Sequence, residues 1–364
     1  MKTMDIPAGP AELSAEWLTD VLRQNGIIET PAVASFDAKT IAEGTGFIGQ
    51  LARVTLNYDT DVQGVPRSLV AKFPGASEGG RQIGNLFRFY EREIRFYEEI
   101  AHRVDMRIPK RYHSAMDIDR GQYVLLIEDL APARVGDQLA GCILEDARIA
   151  IREIAKFHAT WWQSPHLDAL DWMPMVNDPV QQLAAPSYAQ AWQPFVDNFA
   201  GGLSKEMLGI AERVGEHVVD FQNRLADEPR TIMHGDYRID NLFFRSPEGG
   251  PDFAAVDWQI SSRGRGIFDV SYFIAGGMEP ALRKAHEMDL LKLYHDTLQA
   301  NGVKNYGWDQ CLREYRQCAL YLLVYVVISL GTLDTANARG LALFNAWLVR
   351  ATTAIEELNA AELL

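Results

Sequence analysis

The sequence predicts an α+β chain of two lobes, a sheet-rich N-lobe over residues 1–130 and a mainly helical C-lobe over residues 131–364. Three observations lead there. With 364 residues the chain is longer than one hydrophobic core usually serves. Apolar and polar residues alternate with period two through residues 51–58 and 68–73. From Leu144 onward apolar residues recur at helical spacing instead, as at Ile151, Ile154, His158 and Trp161.

The elements follow in order. Leu13, Trp17, Leu18, Val21 and Leu22 share one face of a helix over residues 11–25. Residues 31–75 read as strands, with a polar turn at residues 62–67. A helix over residues 83–102 and strands at 108–115 and 122–127 complete the first lobe. The Pro- and Gly-bearing stretch 131–141 reads as a linker. Residues 165–230 form a helical insertion carrying Trp172, Tyr188, Trp192, Phe195 and Phe199. Short strands are expected within 231–244 and 252–258, and helices fill 270–360.

Composition narrows the function. Hydrophobic residues make up 48% and charged residues 23%, which excludes disordered, collagen-like and coiled-coil chains. The net charge is −14, and −10 of it lies after Leu130. An acidic chain with no basic stripe argues against nucleic acid and anionic membrane surfaces as partners. The acidic second lobe suits a cationic ligand, and equally a solvated surface. Cys142, Cys311 and Cys318 are too few for a disulfide scaffold, and Cys311 and Cys318, seven apart in a helical pattern, read as buried helix residues. The N-terminal residues lack an apolar signal core, and the charge-free run 317–333 reads as a buried core helix, so a cytoplasmic protein is expected. The oligomeric state is not readable from the sequence.

The chemistry concentrates in His234-Gly-Asp236-Tyr-Arg-Ile-Asp-Asn241, set between apolar flanks, with Ala254-Ala-Val-Asp257-Trp-Gln sixteen residues past Asn241. An Asp, an Asn five residues on and a second Asp after a β excursion suit metal-dependent phosphoryl transfer. Asp236 can accept the proton of an attacking hydroxyl, and Asn241 and Asp257 offer oxygen ligands to hard Mg²⁺. Upstream, Gly44-Thr45-Gly46-Phe-Ile-Gly49 matches a glycine-rich phosphate loop. An alternating strand follows it where a dinucleotide fold needs a helix. That favours a strand–loop–strand lid over phosphates, with a plain hairpin turn as the other reading.

These motifs resemble the aminoglycoside phosphotransferase and choline kinase group of the protein-kinase-like superfamily, in the bacterial branch near the ecdysteroid kinase-like proteins. The resemblance runs over residues 40–280 and implies a protein-kinase-like fold with ATP in the cleft. It implies that Lys72, in Leu-Val-Ala-Lys-Phe, grips the α- and β-phosphates. Such a lysine needs a carboxylate partner. Among Glu91, Glu93, Glu98 and Glu99, Glu93 sits within the stripe Leu86, Phe89, Phe96 and Ile100, with Glu91 and Glu98 as alternatives. By the same resemblance Glu128 and Leu130 offer main-chain atoms to adenine. Asp269 reads as the cap of a helix and, in the kinase-like fold, as a brace of the catalytic loop; His234 and His158 support that loop. The motif reads His-Gly-Asp, Asp257 is followed by Trp-Gln, and no activation segment is visible. The implied activity is therefore ATP- and Mg-dependent phosphoryl transfer to a small-molecule hydroxyl. An aminoglycoside, choline, homoserine or a sterol-type alcohol all remain open as acceptor. A catalytically inactive nucleotide-binding protein is the alternative.

Overall fold

The computed structural model describes residues 5–41, 49–332 and 338–364. Gly44, Thr45 and Gly46 of the expected phosphate loop lie outside the described residues. The chain divides into two compact units, Met1–Arg103 with Ile108–Pro132, and Val104–Arg107 with Ala133–Leu364.

The first unit is built on an antiparallel five-stranded sheet. Its strands are β1 (Val33–Ile41), β2 (Gly49–Tyr58), β3 (Ser68–Pro74), β4 (Arg111–Asp117) and β5 (Gln122–Glu128), in the order β1-β2-β3-β5-β4. Alternation decides its faces. Val54, Leu56, Leu69, Ala71, Val124 and Leu126 turn to one side and form a core with helix α1 (Ala15–Gln24). Ser14 caps α1 by accepting the Trp17 amide, and Leu18, Val21 and Leu22 are fully buried. Because Leu69 and Ala71 face α1, Lys72 faces the other side of the sheet.

The single helix expected over residues 83–102 is broken. Helix α2 (Glu78–Leu86) ends before Arg88, which takes a left-handed conformation at φ 55°, and α3 (Phe89–Arg95) starts after it and runs into a π-helical turn at Phe96–Ile100. Leu86 is therefore exposed and does not belong to the buried stripe. The Arg88 guanidinium donates to both carboxylate oxygens of Glu91, which closes the break.

In the second unit, β6 (Arg134–Val135) precedes α4 (Leu144–Trp161), α5 (Ala184–Phe199), α6 (Lys205–Glu216) and α7 (Val218–Ala226). Strands β7 (Thr231–Met233), β8 (Leu242–Ser246), β9 (Gly249–Ala255) and β10 (Ser262–Gly264) follow, then α8 (Ile267–Gly277), α9 (Pro280–Ala300), α10 (Trp308–Thr332) and α11 (Ala338–Glu357). Two small sheets form, β6-β8-β9 and β10-β7. The stretch expected as a linker is thus partly structured, since Arg134 and Val135 pair with Phe244 and Phe243.

Helix α10 is long and apolar enough to cross a membrane, yet 61% of its most apolar window is buried inside the protein, where it packs on α5, α8 and α11. Cys311 and Cys318 lie buried in it, and burial raises both thiols. Trp172 and Phe195 of the helical insertion are core residues, as is Tyr188, whose hydroxyl donates to the Ala211 carbonyl. Their presence in the sequence is explained by packing, while Trp192 and Phe199 are half-buried.

Candidate active site

In the first unit the sheet register sets Lys72 between Leu51 of β2 and Leu125 of β5. Its ammonium is hydrogen-bonded to Glu93 of α3, with side chains only 17% and 7% exposed. A charge this far from water needs an opposite charge in contact. The neighbouring carboxylates are committed elsewhere. Glu91 takes Arg88 and Arg95, and Glu98 accepts from the Ser114 hydroxyl at 2.6 Å.

Gly49 opens β2 opposite Pro74; a Cβ there would come within 3.3 Å of the Phe73 carbonyl. At the end of β5 the Glu128 amide donates to the Lys110 carbonyl at 2.8 Å, and its carboxylate accepts the Lys110 amide at 3.0 Å. The Glu128 N–H is therefore unavailable to an adenine edge, which narrows the expectation for Glu128 to its carbonyl. Leu130 is buried beyond it.

In the second unit the loop between β7 and β8 carries His234 to Asn241. Gly235 has φ 82°, and a Cβ would lie 2.6 Å from the Ile260 carbonyl oxygen, so only glycine fits. Asp269 is fully buried beneath it. One carboxylate oxygen accepts the His234 amide at 2.7 Å, and the other accepts the Gly235 amide at 2.9 Å. His158 Nε2 sits 3.1 Å from the first oxygen, and its Nδ1 accepts the Tyr294 hydroxyl at 3.0 Å. Asp269 is therefore not the cap of α8. Gly266 occupies the cap position, and the carboxylate, one turn inside the helix, serves the loop instead.

The His234 ring makes the hydrogen bonds of a neutral imidazole. Its Nε2–H donates to the Val256 carbonyl at 3.0 Å, while Nδ1 accepts the Asp236 amide at 3.3 Å. Burial pushes its pKa down, against the opposing pull of Asp269 and Asp236. Its ring lies 4.4 Å from that of Trp258, itself fully buried. The Trp that follows Asp257 is thus a floor under the loop.

Asp236 and Asn241 meet. The Asn241 side-chain nitrogen donates to the Asp236 carbonyl at 2.9 Å and to its Oδ2 at 3.0 Å. Its Oδ1 is thereby the atom left to accept or ligate. Asn241 also ties to the next segment, because its carbonyl accepts the Val256 amide at 3.0 Å. Asp257 follows with φ 67°, a left-handed conformation rare outside glycine. Gln259 Nε2 lies 3.5 Å from its Oδ2.

Two neighbours of Asp236 were not singled out from the sequence. Arg238 Nε lies 3.2 Å from Asp236 Oδ2, and the charge of Asp236 holds the guanidinium pKa up. Burial first, and then the nearby charge of Asp236, raise the pKa of the Tyr272 hydroxyl well above the ordinary value. Arg238 lies inside the motif itself. Tyr272 follows Asp269 by three residues, so helical spacing sets both on the same side of α8.

A family model described as ecdysteroid kinase-like matches residues 43–304. This chain belongs to the ecdysteroid kinase-like family. Solved structures extend the likeness over nearly the whole chain. A Ralstonia eutropha JMP134 protein assigned as an aminoglycoside phosphotransferase superimposes with a TM-score of 0.53 at 18% identity, covering 96% of this chain and 98% of that one. Choline kinase from Cryptosporidium parvum Iowa II gives 0.56 at 10% identity over 94% and 97% of the two chains. Plasmodium vivax ethanolamine kinase gives 0.52 at 12% identity over 93% and 87%. At such identities the likeness establishes the protein-kinase-like fold alone. Acyl-CoA dehydrogenase family member 10 of Mus musculus is 36% identical over 73 residues, and the matched stretch spans only 7% of that protein and 19% of this chain.

Proposed function

We propose that this family member is a small-molecule kinase, moving the γ-phosphoryl group of ATP, with Mg²⁺, to a hydroxyl of a small molecule. The observation that carries the reading is the contact of Asp236 with Asn241 in a loop whose backbone is held by both oxygens of buried Asp269. A carboxylate fixed in this way loses little orientation when a hydroxyl arrives. Asp236 takes the hydroxyl proton as the acceptor oxygen bonds to the γ-phosphorus and the bond to the ADP oxygen breaks. Lys72, steadied by Glu93, holds the α- and β-phosphates.

The donor set suits Mg²⁺. Asn241 offers Oδ1 because its nitrogen is turned to Asp236, and Asp257 offers a carboxylate. Among the described residues no cluster of three His, Cys, Asp or Glu forms a closed metal cage. Two oxygen donors fit a cation that usually keeps several waters and takes its other ligands from phosphates. Bound there, Mg²⁺ would offset the negative charge of the phosphate oxygens.

The test is coupled ADP release with Mg-ATP across aminoglycosides, choline, amino alcohols, sugars and sterols. At least one compound should raise release above the solvent blank. Asp236→Asn should then lower turnover by roughly 10³-fold, within the range of general-base catalysis, and leave ATP affinity nearly unchanged. Undiminished turnover in that variant removes Asp236 from the role. ATP binding with no stimulated release from any acceptor favours the inactive nucleotide-binding alternative.

A further inference from the structure

We propose that Gln138 is a positioning residue for the Asp236–Asn241 loop, acting from the segment that the sequence reads as a linker. The inference rests on the kinase reading above for its functional meaning, and on the hydrogen bonds of one residue for its physical content.

All four polar groups of Gln138 are engaged, and the residue is only 3% exposed. Its side-chain oxygen accepts the Ile239 amide at 2.9 Å. Its side-chain nitrogen donates to the Gly276 carbonyl near the end of α8 at 3.1 Å. Its own amide donates to Asp240 Oδ1 at 2.8 Å. Its carbonyl accepts from Arg350 of α11, a guanidinium 2% exposed that also donates to the Leu139 carbonyl at 3.0 Å. Gln138 therefore fastens Ile239 and Asp240, two residues lying between Asp236 and Asn241, to two helices distant in sequence.

The local sequence presets this strap. Asp137 accepts the amides of Leu139 and Ala140 at 2.9 and 3.2 Å, a side-chain turn that projects Gln138 toward the loop. The Gly136 amide donates to the Leu242 carbonyl at 2.9 Å, and a Cβ on Gly136 would fall 2.3 Å from the Ile239 carbonyl oxygen. A glycine at that place lets the strap lie directly on the loop.

Asp240 carries the effect inward. Its Oδ2 lies 3.3 Å from Arg238 Nη1, and Arg238 Nε lies 3.2 Å from Asp236 Oδ2. Losing the Gln138 side chain would strip the Ile239 amide of its buried acceptor and loosen the strap whose backbone amide holds Asp240, which unsettles both Asp236 and Asn241. Nucleotide contacts made by Lys72 in the other unit would not change.

Gln138→Met keeps the volume and removes both side-chain bonds. In the full chain it should speed hydrogen exchange of the Ile239 amide at least tenfold by NMR. It should weaken Mn²⁺ binding in the presence of ADP at least fivefold by electron paramagnetic resonance. ADP affinity measured in EDTA should stay within twofold. Gln138→Glu, which keeps an acceptor for Ile239 but sets a carboxylate oxygen against the Gly276 carbonyl, should fall between parent and Met. Exchange and Mn²⁺ affinity both within twofold of the parent in Gln138→Met would overturn the proposal. Should that variant not fold, the Glu variant decides by the same two readings. If the parent itself fails to bind Mn²⁺ with ADP, the kinase reading falls, and Ile239 exchange still decides whether Gln138 holds the loop.

Discussion

Glu93 is one of four carboxylates within nine residues, and its neighbours explain why it meets Lys72. Glu91 is held by Arg88 and Arg95, Glu99 by Arg95, and Glu98 by Ser114, so each has a partner on its own side of the helix. Lys72 and Glu93 are then coupled, and their effects should not add. Lys72→Met and Glu93→Gln should each weaken ATP binding measurably by calorimetry. The double variant should be little worse than Lys72→Met, leaving a coupling energy of about 1–3 kcal/mol. Additive losses would show that Glu93 acts on something other than the lysine. Arg238 and Tyr272 escape a residue-by-residue reading for a simple reason. Arginine beside a carboxylate is ordinary surface composition, and Tyr272 comes under the charge of Asp236 only once α8 has packed beneath the loop.

Elements diverge from their sequence patterns where a side chain competes with the backbone or with another element. Residues 83–102 carry helical periodicity throughout, yet Arg88 breaks the run. Asp269 looks like a cap because Asp caps helices, but its two oxygens take two buried loop amides instead. Helix α10 resembles a membrane span by composition because it is surrounded by other helices. Its packing against α5 is close. A Cβ on Gly331 would lie 2.2 Å from the Ala191 carbonyl oxygen, nearer than backbone can tolerate. Gly331→Val should therefore destabilise the protein by about 2 kcal/mol in urea unfolding, as over-packing commonly does. A variant as stable as the parent would mean that the two helices separate there at little cost.

At the scale of the whole molecule, the response to acid is set by opposing terms. A net charge of −14 favours mild acidification, since protonation relieves repulsion. Histidines held partly or wholly out of water oppose it. Burial, with help from Arg111, pushes His113 down to about 4, and burial lowers His234 as well. In the unfolded chain both titrate near 6.5. For His113 the unfolded state then binds more protons between these values, so the stability due to its neutral ring is present above pH ~6.5 and drains away toward pH ~4. The expected outcome is that His113→Gln reduces whatever fall in Tm the parent shows between pH 7.5 and 5, or steepens its rise. Identical pH profiles for parent and variant would exclude His113 from the effect.

Period-two and helical patterns determined the strands around Lys72 and the long helices, because burying one face of an element imposes its repeat on the residues. Spacing within residues 234–257 likewise placed Asp236, Asn241 and Asp257 together on the chain, since they lie on one short β excursion. Tertiary structure alone decided that the Lys72–Glu93 contact favoured by the stripe closes, that Asp269 leaves the cap position of α8 to Gly266, and that Gln138 is a strap and not part of a linker. Each of those outcomes is a choice among several polar partners of similar chemistry. Hydrogen-bonding groups are alike in sequence and differ only in which of them folding brings within about 3 Å of one another.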